Sequence, residues 1–513
     1  MALLRFAILS LLSLPGAFAF SHPGLLVTDQ DIARATKKIA AKQGPWLASW
    51  DKLTSLEFSS ASYTNNAAAD ISRASNGELL WHDAAAAFNL ALRWKISGDD
   101  AYAATAADIL VAWAEELKTL SGGDEAYLMA GLQGYELANA AELLRDYAPF
   151  AESGLSAVTS MMTTIFLPMN VDFLNQALPS QHNVLHFFAN WELGNIASAM
   201  AIGVLSDNQT VWDFAVDYFK NGVGNGAINN AVSNIVEEPD TGKPLGQGQE
   251  SGRDQGHSAL DFQLLGAIGQ QAWNQGEDLF AYNNSRILLG AEYFARYNLG
   301  YDVPFEPYTN GIQSYTVISE ASRGAIRPTW ELLHAHYVQV KGLDAPWTTA
   351  YLNNTLQYFG GFEGGAGSWG EGSGHYDGFG WGSLLHRLDE SDLDELTSST
   401  STKIPSTTAI PTDSASTKVA SAEAISTTTA VSSVSASSQL VSSAAFSTLV
   451  TSSSISSSVP TVAADISSKT VVVVTSTGSP ELAVSSAPQS ATTSTSKSRH
   501  GKACRAKRLQ TSV

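Results

Sequence analysis

The chain has 513 residues, with 49 acidic against 29 basic side chains and a formal charge of −20. That balance argues against a partner held through a broad basic surface, such as nucleic acid or an anionic membrane. Its one cysteine, Cys504, excludes an intramolecular disulfide, so the core must be held by packing, which a folded region of ~300 residues or more can supply.

In chain order, residues 1–19 come first: Arg5 precedes an apolar run from Phe6 to Leu14, and Ala17-Phe18-Ala19 ends it, the pattern of a cleavable secretion signal. A secreted protein starting near Phe20 is expected, and no later apolar run is read as reaching the ~20 residues a spanning helix needs. Three asparagine glycosylation triplets, starting at Asn208, Asn283 and Asn353, fit the same route. Apolar side chains then recur at helical spacing over Glu78–Ile96, Ala101–Leu120, Tyr127–Tyr147, Ser153–Leu167, Leu185–Leu205, Val211–Lys220, Ser258–Trp273, Ser285–Tyr297 and Pro328–Lys341. Gly98-Asp99-Asp100 and Ser121-Gly122-Gly123-Asp124 read as a helix end followed by an acidic cap of the next helix.

Successive helical hairpins predict an all-α domain, an α/α barrel or toroid, over residues 20–390. A helical-repeat solenoid would need a fixed-period motif, and none is present. Residues 391–513 are Ser/Thr-rich and of low complexity, too poor in large apolar side chains to form a core, so a disordered and O-glycosylated tail is predicted. A basic cluster at Lys497–Arg508 reads as a solvated end or as a contact for acidic wall polymer. A lipid anchor would need an apolar terminus, and this one is basic and polar.

The polar stretch Gly248–His257 opens the apolar helix marked by Leu260, Leu264 and Ile268, placing His257 near its first turn and Arg253 just before it. Upstream, Gln181–Glu192 begins a helix on which Asn183, His186 and Asn190 share one stripe, as a row of donors facing a cleft or as partners for nearby helix ends. His182 with His186, and His334 with His336, have spacing that invites a metal, but acidic ligand context is missing and no metal or cofactor is assigned. Arg323 and Arg327 precede a helix, where they anchor a loop or recognise carboxylate. The glycine-rich run Gly361–Tyr376 carries Trp369, His375 and Tyr376, suited to stacking on sugar rings or to closing a barrel.

Gly44–Trp50, Gly134–Glu142, Phe188–Leu193, Gly252–His257 and Arg323–Pro328 together resemble the alginate lyase superfamily of helical-barrel polysaccharide lyases, in its secreted fungal and actinobacterial branch. The resemblance covers roughly residues 24–388. It implies β-elimination on a 1,4-linked polyuronate, alginate or glucuronan in type: a neutralised carboxylate, removal of the C5 proton, and protonation of the departing O4. The residues that match suggest Arg253, Asn190 and His186 as neutralisers. Related lyases carry a tyrosine two helical turns beyond the arginine, where this chain has Phe262. His257 is therefore the expected base, with Tyr135 or Tyr315 as acid. Substrate contacts are expected from Asn183, Gln255, Arg323 and Arg327, and from Trp191, His375 and Tyr376. The partner implied is an anionic polysaccharide, with wall association through the tail. The competing readings are an α/α-barrel glycoside hydrolase using Glu250 and Asp254, and a non-catalytic wall-binding protein.

Overall fold

Small side chains decide how closely the central helices pack. A β-carbon at Gly131 would lie 2.8 Å from the backbone of Gly194 and Asn195, and one at Gly134 would lie 2.2 Å from the Ser198 hydroxyl. Glycine at these two positions lets helices 125–143 and 189–205 run backbone against backbone. The computed structural model describes residues 19–176, 178, 183, 185–310, 313–369 and 376–393. All of these lie in the first of two units, Met1–Pro411; the second is Thr412–Val513.

The helices are α1 (Asp29–Ala40), α2 (Trp46–Ser55), α3 (Gly77–Ser97), α4 (Asp100–Glu116) and α5 (Glu125–Leu143). A run of π-helical turns and helix follows, Phe150–Gly154, α6 (Leu155–Met161), Met162–Phe166 and α7 (Leu167–Leu174). Next come α8 (Ala189–Leu205), α9 (Gln209–Asn221), α10 (Ile228–Ala231), α11 (Gln255–Asn274) and α12 (Tyr282–Asn298). The last are α13 (Trp330–His334), which continues into a π-helical turn, α14 (Pro346–Phe359) and α15 (Gly382–Leu385). Short strands pair between them: β1 (Asp70–Ser72) parallel to β2 (Thr119–Ser121), β3 (Val232–Glu237) antiparallel to β4 (Pro244–Gly248), and β5 (Tyr308–Thr309) antiparallel to β6 (Ser314–Tyr315).

Packing closes a ring. Helix α1 touches α3, α3 touches α5, α5 touches α8, and α8 touches α11. Gly266 of α11 faces Leu332 and Leu333 of α13, α13 touches α15, and α15 returns to α1. An outer layer backs the ring: α2 on α1, α4 on α3, α7 on α5 and α8, α9 on α8, α12 on α11, and α14 on α12 and α13. This is the α/α barrel expected from the helical hairpins. Position in the ring explains burial: every residue of α8 except Trp191 is buried, whereas α4 and α9 bury one face.

The starts of the inner helices lie together. β1, just before α3, pairs with β2, just before α5, and Asn195 near the start of α8 donates to the Tyr127 carbonyl near the start of α5. Deeper inside, Asn139 of α5 donates to Gln271 of α11 at 3.0 Å and accepts from the Leu26 backbone at 2.9 Å, so buried amides tie the ring and the N-terminal segment together.

Several expectations change. Helix α4 stops at Glu116, so Gly122-Gly123 forms a positive-φ turn after β2 instead of ending a helix; Gly98 and Asp99 do serve as end and cap. Phe150–Leu174 is, by length and composition, long and apolar enough to cross a membrane, contrary to the reading that none would be; its apolar face packs on α4, α5 and α8 as a core helix does. The helix expected from Leu185 begins at Ala189, because Asn183 forms a turn instead: its side chain accepts from Leu185 N–H and its carbonyl from His186 N–H.

Candidate functional site

The glycine-punctuated stretch before α11 folds back on itself around Glu250. One Glu250 oxygen accepts both the backbone and the side-chain N–H of Asn190, and the other accepts from Arg253 Nη1 at 2.7 Å. Glu250 is fully buried, whereas the Arg253 side chain keeps 24 % of its surface exposed. The guanidinium also lies 4.0 Å from the centre of the Phe188 ring, so it is held in plane as well as by charge.

Asp254 caps α11. Its Oδ1 accepts the His257 backbone N–H at 2.8 Å, and its Oδ2 meets His257 Nδ1 at 2.6 Å. With Nδ1 engaged there, Nε2 faces Arg253 Nη2 at 3.1 Å, and the His257 side chain is 42 % exposed. Burial alone would raise the Asp254 carboxyl, but the hydrogen bonds and charge of His257, with the charge of Arg253, hold it below its ordinary value.

The β5–β6 hairpin brings two tyrosines to this loop. Tyr308 donates to the Gln249 carbonyl and accepts the Gly252 N–H at 3.3 Å. Tyr315 lies tilted against Tyr308, ring centres 5.3 Å apart, and packs so tightly on Gly252 that a β-carbon there would come within 2.6 Å of it. Burial pushes the Tyr315 phenol up, while nearby Arg253 pulls it down.

The remaining candidates separate from this cluster. Tyr135 is buried and donates to the Asp377 carbonyl at 2.8 Å beside Phe379. Gln255 is buried and uses its amide on Ser251, Ser319 and Asn298. Arg323 stacks on Tyr297 and donates to the carbonyls of Tyr297 and Tyr301, an anchor for the end of α12. Arg327 lies 3.4 Å from Asp377 and 5.9 Å from the Trp369 ring. Trp191 stacks on Phe187 at 4.8 Å and on Phe173 at 6.1 Å, and Tyr376 is buried against His82 and Phe58. His186 lies edge-on to Phe187, and Asn183 is exposed in the turn, so neither shares a helical stripe with Asn190. His182 and His375 lie outside the described residues. Among the described residues there is no group of three or more His, Cys, Asp or Glu side chains placed to hold a metal.

Glu250 as the hub, Phe188 as the ring under Arg253 and Tyr308 as the loop's tie were not singled out for these roles from sequence. Two-residue strands carry no periodic signal, which left Tyr308 without a context.

The sequence profile of the family described as Alginate lyase matches residues 29–302, more than half of the chain. No curated protein matches. Among solved structures, an alginate lyase A1-III complexed with tetrasaccharide is 13 % identical at a TM-score of 0.46, with 74 % of this chain and 99 % of that one covered. An alginate lyase from Bacteroides ovatus is 12 % identical at 0.46, covering 72 % and 100 %. Alginate lyase A1-III from Sphingomonas species A1 is 13 % identical at 0.42, covering 72 % and 98 %.

Proposed function

The chain belongs to the alginate lyase family, and we propose that it is a secreted lyase that cleaves a 1,4-linked polyuronate by β-elimination at the Arg253–His257 cluster. One observation carries the assignment: a half-exposed imidazole whose Nε2 lies 3.1 Å from a pinned arginine. A base and a carboxylate-binding cation are thus held side by side, as proton removal next to a carboxylate requires.

The uronate C5 proton is a very weak acid while its carboxylate is charged. Arg253 pairs with that carboxylate through its outward edge, its inner edge already held by Glu250. His257 Nε2 takes the C5 proton, since Asp254 occupies Nδ1. The electron pair left on C5 forms the C4=C5 double bond as the C4–O4 bond breaks, and Tyr315 protonates the departing O4. Asn190, buried against Glu250, supports this arrangement from the start of α8.

Glycoside hydrolysis would need two carboxyl groups flanking the scissile bond. Glu250 has no exposed surface and Asp254 is engaged by His257, so neither candidate favours that reading. Secretion through residues 1–19, and spacing or wall contact through residues 391–513, belong to the same proposal.

The test is ultraviolet absorbance of the unsaturated product on polymannuronate, polyguluronate and polyglucuronate. A lyase creates that chromophore on at least one of them. Reducing ends without it would indicate a hydrolase, and neither signal a binding protein. Full turnover by His257→Ala would remove His257 as the base, and Arg253→Ala is expected to lower kcat by about 10²–10³-fold.

A further inference from the structure

Asp261 lies one helical turn beyond His257 on α11, is 1 % exposed, and has no hydrogen-bond donor on either carboxyl oxygen. Two buried acceptors without a donor form a costly arrangement, because water has been removed and nothing replaces it. The group facing Asp261 is another carboxyl, that of Glu250. Glu250 already accepts two N–H groups from Asn190 and one from Arg253, so its own oxygens are committed as acceptors.

Two neighbouring carboxylates in a dry site cannot both be ionised without a large repulsive cost. A single proton between them removes the repulsion and supplies the missing donor. That proton sits on Asp261, because neither of its oxygens accepts an N–H group, whereas the Glu250 oxygens already accept three.

We propose that Asp261 is a positioning residue of this site: its carboxyl proton is donated to Glu250, and this fixes Glu250 as a singly charged hub that aims Arg253 and Asn190. Were both acids charged, Arg253 would be drawn inward between two buried negative groups. With one proton shared, a single negative charge holds Nη1, and Nη2 stays turned toward His257 and the substrate. Burial, and then the charge and hydrogen bond of Glu250, raise the Asp261 carboxyl well above its ordinary value, which agrees with the geometry. The proposal deepens the lyase reading and rests on it for kinetics alone.

The experiment compares Asp261→Asn with Asp261→Leu, each checked for an unchanged melting temperature. Asparagine still offers an N–H to Glu250, whereas leucine fills similar space and offers none. The expected result is kcat within about threefold of wild type for the asparagine variant and about 10²-fold lower for the leucine variant, the scale of a misdirected charge-stabilising donor. Infrared difference spectra at neutral pH should also show, in wild type minus Asp261→Asn, the carbonyl stretch of a buried protonated acid. Equal damage in both variants, full activity of Asp261→Leu, or absence of that band would overturn the proposal. If the wild-type protein turns over no polyuronate, the lyase reading fails, and the infrared band alone still decides whether Asp261 holds the proton.

Discussion

Asp254 accepts the His257 backbone N–H with one oxygen and meets the ring Nδ1 with the other, so one side chain both starts α11 and sets which ring nitrogen faces Arg253. Asparagine caps helices about as well as aspartate, so Asp254→Asn should change stability by no more than about 1 kcal/mol. It removes the negative charge that stabilises a protonated His257, and kcat should fall by about 10²-fold, within the range of a general-base contribution. Thermal melting and initial rates on the cleaved polymer separate the two effects; equal loss in both would mean that Asp254 is only a cap. The pH sense follows from its lowered pKa: the advantage of aspartate is present above the unfolded value of about 3.9 and is lost as pH falls through the lower folded value. Gly252 gives a second residue-scale prediction. Gly252→Ala must push Tyr315 away, so turnover should drop while Arg253 and His257 remain in place, with the loss read in kcat. The Glu250–His257 part of the cluster was legible in sequence because its members are neighbours in one loop and one helical turn. Tyr315 was legible only as a candidate, since its approach to Gly252 depends on a hairpin of two-residue strands. Tyr135 had equal standing in sequence, and it is burial beside Asp377 that sets it apart.

At the scale of elements, α13 shows how the barrel starts a helix without a local cap. Thr329 makes no side-chain cap, and the N–H groups of Trp330 and Glu331 are accepted instead by Glu363, from the loop after α14, at 2.8 and 3.1 Å. Burial, with the charge of Glu331, raises Glu363 to about 8 even though these backbone donors favour its charged form. The folded chain therefore keeps a proton that the unfolded chain has lost above about 4.3. Glu363 contributes its full stability below that value and loses it as pH rises through about 8. Glu363→Gln keeps the acceptor and cannot ionise. Its melting temperature relative to wild type should rise steadily from pH 5 to pH 8; a constant difference would show that Glu363 is not protonated in the fold. The same distance dependence limits what the sequence reveals of elements. Long amphipathic helices such as α3 and α5 were read close to their ends, because their periodicity is local. The start of α8 departs from its apolar pattern, because the turn at Asn183 competes with helix through one side chain, and α13 is shorter than its pattern predicts, its start being held from residue 363.

The whole molecule adds a field to the local chemistry. The chain carries a formal charge of −20, and the proposed substrate is a polyanion, so approach is opposed at long range while Arg253 attracts at contact. These two effects respond differently to salt. Repulsion among dispersed charges acts over many ångströms and is screened once the Debye length falls to ~10 Å near 0.1 M ionic strength. Arg253 is backed by buried Glu250 and stacked on Phe188, so its contact with a carboxylate is partly shielded from mobile ions. Salt should therefore remove more of the opposing field than of the attraction. Between about 0.01 and 0.1 M salt, kcat/KM on a long polyuronate is expected to rise several-fold while kcat stays nearly constant, because the effect lies in encounter and not in chemistry. Initial rates at low substrate, compared with rates at saturation, measure the two separately. A kcat/KM that falls over this range would mean that the end of the barrel where α8 and α11 begin presents a net positive field despite the acidic chain, and cationic groups around that end would then have to account for it.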